Sequence, residues 1–159
     1  MAVMLDDQVT ICDPRQEYTH AWAPMDSVLL ADDMPDDLVA IMNLDAHSAV
    51  VALTHDPQID DLALMRALKT PAYYVGALGS RRNNDRRRQR LLQFDLTPDH
   101  VARLRGPVGL NLGALTPAEI ALSIVAEMTA LRRGAELSGP LADWSTSNTE
   151  CLLANSSTP

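Results

Sequence analysis

Twice in succession an apolar, β-branched run ends in a helix-start signal, and this pattern restricts the chain more than any other feature. Ala49-Val50-Val51-Ala52-Leu53-Thr54 is almost continuously apolar, as a strand covered on both faces of a parallel sheet must be. It runs into His55-Asp56-Pro57, where Asp56 suits an N-cap and Pro57 the first helical position, ahead of Ile59, Leu62, Met65 and Leu68 on one face. A second unit follows at once: residues 72–78 (Ala-Tyr-Tyr-Val-Gly-Ala-Leu) read as a strand, and Gly79-Ser80 opens a polar helix through Leu92. Alternating strand and helix implies right-handed crossovers, hence an α/β fold with an open parallel sheet and flanking helices.

The rest of the chain extends the alternation. Val9-Thr10-Ile11-Cys12 is a short strand stopped at Asp13-Pro14-Arg15, and residues 27–31 (Ser-Val-Leu-Leu-Ala) are a second, leading into a helix that starts over Asp33–Asp37 and buries Leu38, Ile41 and Met42. Thr97-Pro98-Asp99 starts a short helix ended by Gly106-Pro107, after which Val108-Gly109-Leu110-Asn111-Leu112 returns to the sheet edge. Thr116-Pro117-Ala118-Glu119 is a capping box ahead of Ile120, Ile124, Val125, Met128 and Leu131, with Arg132, Arg133 and Gly134 at the helix end. From residue 137 to 159 the periodicity gives way to Ser, Thr, Asn, Gly and Pro, so the expected division is a domain over 1–136 and a flexible tail over 137–159.

Charge and composition exclude several classes. No apolar run approaches the roughly 18 residues of a membrane span, and the start of the chain carries Asp6 and Asp7 without a basic residue, unlike a secretory signal. A cytoplasmic location is the expectation. Residues 1–61 hold 13 acids and one base, whereas residues 62–159 hold 8 acids and 12 bases, so one half repels nucleic acid and the other suits an anion. Cys12 and Cys151 are too far apart in pattern to indicate a disulfide framework or a zinc site. His20 has no second ligand at metal spacing, and His47 and His100 sit beside acids in turn-like segments, so all three read as structural or solvated and no metal is expected.

In an open α/β sheet ligands gather where strands end and helices begin. Three loops stand at such places. Asp13-Pro14-Arg15 puts an acid where a dinucleotide fold bonds a ribose, with Arg15 near enough for a phosphate; the alternative is a strand terminator with its own ion pair. Thr54-His55-Asp56 gathers a hydroxyl, an imidazole and a carboxylate, with His55 able to shuttle a proton, unless Asp56 is only the helix cap. Gly76-Ala77-Leu78-Gly79-Ser80-Arg81-Arg82-Asn83 forms an anion cradle in which Gly76 and Gly79 admit close approach, Ser80 caps, and Arg81 and Arg82 add charge at the positive helix end. Six arginines fall between 81 and 90, and only the first two are expected to reach a ligand, the others forming a solvated basic face. No Lys follows the second glycine, so this is not a Walker A loop.

These runs, together with residues 109–121 (Gly-Leu-Asn-Leu-Gly-Ala-Leu-Thr-Pro-Ala-Glu-Ile-Ala), resemble the C-terminal Rossmann-like domain of the XdhC/CoxI family, the xanthine dehydrogenase accessory proteins. The resemblance spans about residues 9–133. It implies a role in maturing molybdenum hydroxylases: binding the molybdenum cofactor, a pterin phosphate, for sulfuration and insertion, with a hydroxylase apoenzyme and a cysteine desulfurase as partners. The ligand residues it points to are Asp13, Arg15, Thr54, His55, Asp56, Gly76, Gly79, Ser80, Arg81, Arg82 and Asn83. Members carry a first strand and a Gly-Ala-Gly-His loop ahead of the Asp-Pro-Arg strand. Here only eight residues precede Val9, so the expectation is a Rossmann-like sheet lacking that strand and loop, with Met1–Leu5 as a partial substitute or a homo-oligomer covering the gap. The competing readings are an NAD(P)-dependent oxidoreductase, favoured by Asp13, and a ligand-free protein-interaction fragment.

Overall fold

Parallel strands and helices alternate along the residues that the computed structural model describes, 1–19, 22–23, 25–54 and 56–138. In order they are β1 (Val9–Cys12), α1 (Gln16–Thr19), β2 (Val28–Ala31), α2 (Pro35–Met42), β3 (Ala49–Ala52), α3 (Pro57–Ala67), β4 (Tyr74–Ala77), α4 (Arg81–Leu91), α5 (Pro98–Ala102), β5 (Leu104–Arg105) and α6 (Pro117–Arg132). This is the α/β architecture that the alternation implies. Residues 137 and 138 have no regular structure, and the remainder of the expected tail, with Cys151, lies outside the described residues.

The strands form two separate sheets, β1–β2 and β3–β4–β5, parallel at every pairing. Val9 stands opposite Val28 and Cys12 opposite Ala31 in the first; Ala49 opposite Tyr74 and Ala52 opposite Ala77 in the second. Among the described residues β1 pairs only with β2 and β3 only with β4, so each keeps one free edge. Met1–Leu5 does not fill the interval: Ala2–Leu5 curls into a 3-10 turn, closed by Met4 N–H on the Met1 carbonyl and by Asp6 in the left-handed region at φ 62°.

Side-chain alternation along β3 and β4 divides the core into two layers. Ala52, Val75 and Ala77 face Leu64, Leu68, Leu91, Leu96 and Val101 from the α3–α5 side. Tyr74 faces Val108, Ile124 and Met128, and Ala49, Val51, Ile120 and Leu131 pack against that layer. The α6 face is the one that the capping-box reading assigns, and Thr116 and Glu119 make both reciprocal bonds. Within this layer the buried Tyr74 hydroxyl donates to the Glu127 carboxylate, which also accepts the Gly109 N–H at 2.8 Å. Burial and that carboxylate push the tyrosine far above its ordinary ionisation range.

Four sequence expectations are corrected. The last strand is Leu104–Arg105, paired with Val75 and Gly76, because residues 108–112 turn away: Gly109 adopts φ +89°, and its N–H and that of Leu110 bond Glu127 and Ser123 of α6. In α2 the buried residues are Pro35 and Val39, while Ile41 is 74% exposed. The most buried stripe of α3 runs through Asp60, Asp61, Ala63, Leu64, Ala67 and Leu68, with Ile59, Leu62 and Met65 only half-buried, because the helix is wedged between α2 and α4 as well as the sheet. Gly76 is buried inside β4 for packing, since a Cβ there would stand 2.6 Å from Val108 Cγ2 and 2.7 Å from Tyr74 Cε1. Cys12 is half-buried, its thiol bonded to the Asp33 carbonyl and pushed up to about 11 by burial and nearby acids, consistent with an inert bystander.

Gly76→Ala is therefore expected to destabilise the fold by about 1–3 kcal/mol through overpacking. Thermal or denaturant unfolding measures this, and an unchanged midpoint would mean that Val108 and Tyr74 yield freely.

Candidate functional site

The carboxyl ends of β3 and β4, the start of α3 and one face of α4 border a cavity of about 310 Å³, lined by Thr54, Pro57, Leu78, Gly79, Asn83, Arg86, Arg87 and Arg90. On the β3 side Asp56 caps α3, accepting the Gln58 N–H at 2.9 Å, and Pro57 takes the first helical position. The cap reading of Asp56 thus holds. Thr54 directs its hydroxyl and its N–H to Asp60 Oδ1, at 2.8 and 3.2 Å. On the β4 side Gly79 has φ +135°, a conformation that disfavours any side chain, and Ser80 caps α4 by accepting the Asn83 N–H at 3.3 Å.

The two walls are joined by buried charge. Arg87, 6% exposed, donates from Nη2 to Asp60 at 2.8 Å, from Nε to Asp61 at 3.1 Å, and from Nη1 to Asn84 Oδ1 and the Leu78 carbonyl, both at 3.1 Å. Asn84, fully buried, donates in turn to the carbonyls of Gly79 and Ser80 at 3.0 and 3.2 Å. Arg90 holds the second oxygen of Asp61 at 2.9 Å. Asp60 is only 2% exposed; burial raises its carboxyl above the ordinary range, opposed by the Thr54 bonds and the Arg87 charge. A guanidinium with this many partners cannot swing toward solvent, so the Leu78–Ser80 turn is held in one shape.

Of the sequence-assigned residues, Thr54, Gly79 and Asn83 line this cavity, and Asp56 and Ser80 cap the helices beside it. His55 lies outside the described residues, as does His20. Asp13 and Arg15 are not part of the lining: Arg15 grips Asp13 through Nε and Nη2 at 2.8 and 2.7 Å, and this pair holds the Asp13 carboxyl below its usual range. Arg81 and Arg82 are exposed in the first turn and do not line the cavity either, because helical spacing turns residues 83, 86, 87 and 90 to that side. The later arginines are accordingly not a uniformly solvated face. Sequence reasoning missed Asp60, Asp61, Asn84 and Arg87; two adjacent acids interrupting the apolar pattern of α3, opposite an Arg at the i+4 spacing from Asn83, were the available signal.

Among the described residues no helix is long and apolar enough to cross a membrane. The family model described as the XdhC Rossmann domain matches residues 1–128. The chain belongs to the XdhC family. It is 29% identical over 135 residues, 84% of its length, to the uncharacterized protein YqeB of Escherichia coli (strain K12). To the molybdenum cofactor insertion chaperone PaoD of the same organism it is 32% identical over 58% of its length, and to a probable xanthine dehydrogenase subunit of Bacillus subtilis (strain 168) 34% over 62%. The chain spans 25%, 29% and 28% of these three proteins. A crystal structure of a xanthine dehydrogenase from Bacillus halodurans is similar with a TM-score of 0.62 and 32% identity, over 85% of this chain and 38% of that one. The residues that line the cavity, between 54 and 90, all fall within the matched stretch, at strand ends of an open α/β sheet.

Replacing Arg87 with Leu leaves two buried carboxylates without their main partner, and a loss of about 3–5 kcal/mol at neutral pH is expected. The sign of the pH dependence follows from Asp60. Its folded value already lies above the ordinary one, so its charge opposes folding at neutral pH and the opposition fades as pH falls through the folded value. Removing Arg87 raises that value further, so the deficit of Arg87→Leu should shrink on acidification in urea unfolding series. A deficit that is constant or grows toward low pH would contradict the network.

Proposed function

We propose that this XdhC-family chain serves the maturation of a molybdenum hydroxylase of the xanthine dehydrogenase type, holding the molybdenum cofactor in the β3–β4 crevice for sulfuration and transfer. The observation that carries this is the cavity itself: a cation-walled opening at the strand ends, rigidly backed, in a chain related to a molybdenum cofactor insertion chaperone. The residues fit the phosphate end of a pterin cofactor. Gly79 permits close approach of the backbone, Asn83 offers a neutral amide, and Arg86, beside the paired Arg87 and Arg90, supplies positive charge. When bound, the cofactor supplies the molybdenum centre of the hydroxylase. What this chain contributes is binding and orientation, so it acts as a chaperone module rather than as a catalyst, with the apoenzyme as recipient, a cysteine desulfurase as sulfur donor, and the cytoplasm as the site of action.

The oxidoreductase alternative depends on Asp13, whose two oxygens are already engaged by Arg15. Titration with molybdenum cofactor, NAD and NADP in parallel separates the readings. Saturable binding of the molybdenum cofactor, with neither nicotinamide cofactor bound, is the expected result. Binding of NAD or NADP instead would support the oxidoreductase, and binding of none would leave a protein-interaction fragment.

A homo-oligomer goes with this reading. β1 and β3 each present a free edge, and in β2 Leu29 and Leu30, which point to opposite faces, are 71% and 42% exposed. Another copy of the chain covers this surface. Light scattering at micromolar concentration should give at least a dimer; a stable, fully folded monomer would contradict it.

A further inference from the structure

The arginines of α4 differ sharply in what they are free to do. Arg87 is held by Asp60, Asp61, Asn84 and Leu78, and Arg90 gives its Nε to Asp61. Arg88 donates to the Gly106 carbonyl at 2.9 Å, to that of Leu104 at 3.2 Å and to Asp85 at 3.3 Å, fixing α4 against the end of β5. Arg81, Arg82 and Arg86 make no side-chain bond or ion pair among the described residues, and of these three only Arg86 lines the cavity. Its spacing explains the placement: 83, 86, 87 and 90 recur at i, i+3, i+4 and i+7, one stripe of a helix.

The charges in the cavity wall then set its ligand. Three guanidiniums, of Arg86, Arg87 and Arg90, stand against the two carboxylates of Asp60 and Asp61, leaving one uncompensated positive charge. Arg86 is its carrier. A second anionic group would have to share the charge of Arg90 with Asp61, or compete with two buried carboxylates for Arg87.

We propose that Arg86 is the specificity-determining cation of the crevice and that the cavity takes a single terminal phosphoryl group, not a diphosphate. This rests on the reading of the cavity as the seat of a phosphate-bearing ligand. Arg87 is a positioning residue: it shapes the Leu78–Ser80 turn that the phosphoryl group approaches, and four of its five N–H donors are held by Asp60, Asp61, Asn84 and Leu78. Arg81 and Arg82 stand outside and contribute only weak, salt-screened attraction.

The experiment uses AMP and ADP as probes with one and two phosphoryl groups on the same nucleoside, titrated into the full chain, into Arg86→Ala and into the double variant Arg81→Ala/Arg82→Ala. Arg86 is exposed and unpartnered, so its replacement leaves the fold intact, which circular dichroism checks. The expected results are AMP and ADP affinities within about two-fold of each other, a loss of about ten-fold or more for AMP in Arg86→Ala, and a change within about two-fold in the double variant. ADP binding more than ten-fold tighter than AMP, or a loss in the double variant equal to that in Arg86→Ala, overturns the assignment while leaving the crevice as a binding site. If neither nucleotide binds the unaltered chain, the reading of the cavity falls, and this inference with it.

Discussion

The Arg87 guanidinium sits in a position that water scarcely reaches, and the geometry of the crevice follows from how it is held. Removing such an ion from water costs several kcal/mol unless its partners replace the lost hydration. Here the partners come from α3 (Asp60 and Asp61), from α4 itself (Asn84) and from the end of β4 (the Leu78 carbonyl). Asp60 passes the constraint to β3 by accepting both polar groups of Thr54. Neither wall of the cavity can shift without breaking a charge-assisted bond in a poorly solvated place. That rigidity is what a binding site for a charged group requires, because donors already in position lose little entropy when the ligand arrives.

The same network explains why the cationic surface is less generous than the count of arginines suggests. Three of the six arginines of α4 are engaged internally, by Asp60 and Asp61 on one side and by the Leu104 and Gly106 carbonyls on the other. A helix whose sequence reads as a solvated basic face is, through Arg87, Arg88 and Arg90, a clamp between α3 and β5. The free edges of β1 and β3 and the exposed Leu29 and Leu30 describe a different surface, on the sheets rather than at the strand ends. The proposed ligand crevice and the proposed oligomer surface therefore lie on separate parts of the molecule.

Much of this architecture was legible in the chain itself. Caps and prolines mark helix starts through local bonds alone, so Asp56-Pro57, Ser80 and the Thr116–Glu119 box announce α3, α4 and α6 without tertiary information. Strands were legible where the runs are apolar throughout, as at Ala49–Ala52. The two-residue strand Leu104–Arg105 was not, since its pairing is decided by where α5 delivers the chain and not by its own composition. The site divided the same way. Thr54, Gly79 and Asn83 follow from the rule that ligands gather at strand ends, whereas Asp60, Asn84 and Arg87 are polar residues whose burial depends on meeting one another across two helices. Gly76 was open to misreading because a glycine that admits a ligand and a glycine that admits a tyrosine ring look alike in sequence.

Whether the ends of β3 and β4 act as one preorganised anion-binding unit is decided by amide NMR of the chain during titration with inorganic phosphate. The Thr54, Gly79 and Asn83 amides should move together along a single saturation curve while those of Asp13 and Arg15 stay still. Movement confined to the Asp13–Arg15 turn, or to Arg81 and Arg82 without Thr54, would contradict a single unit.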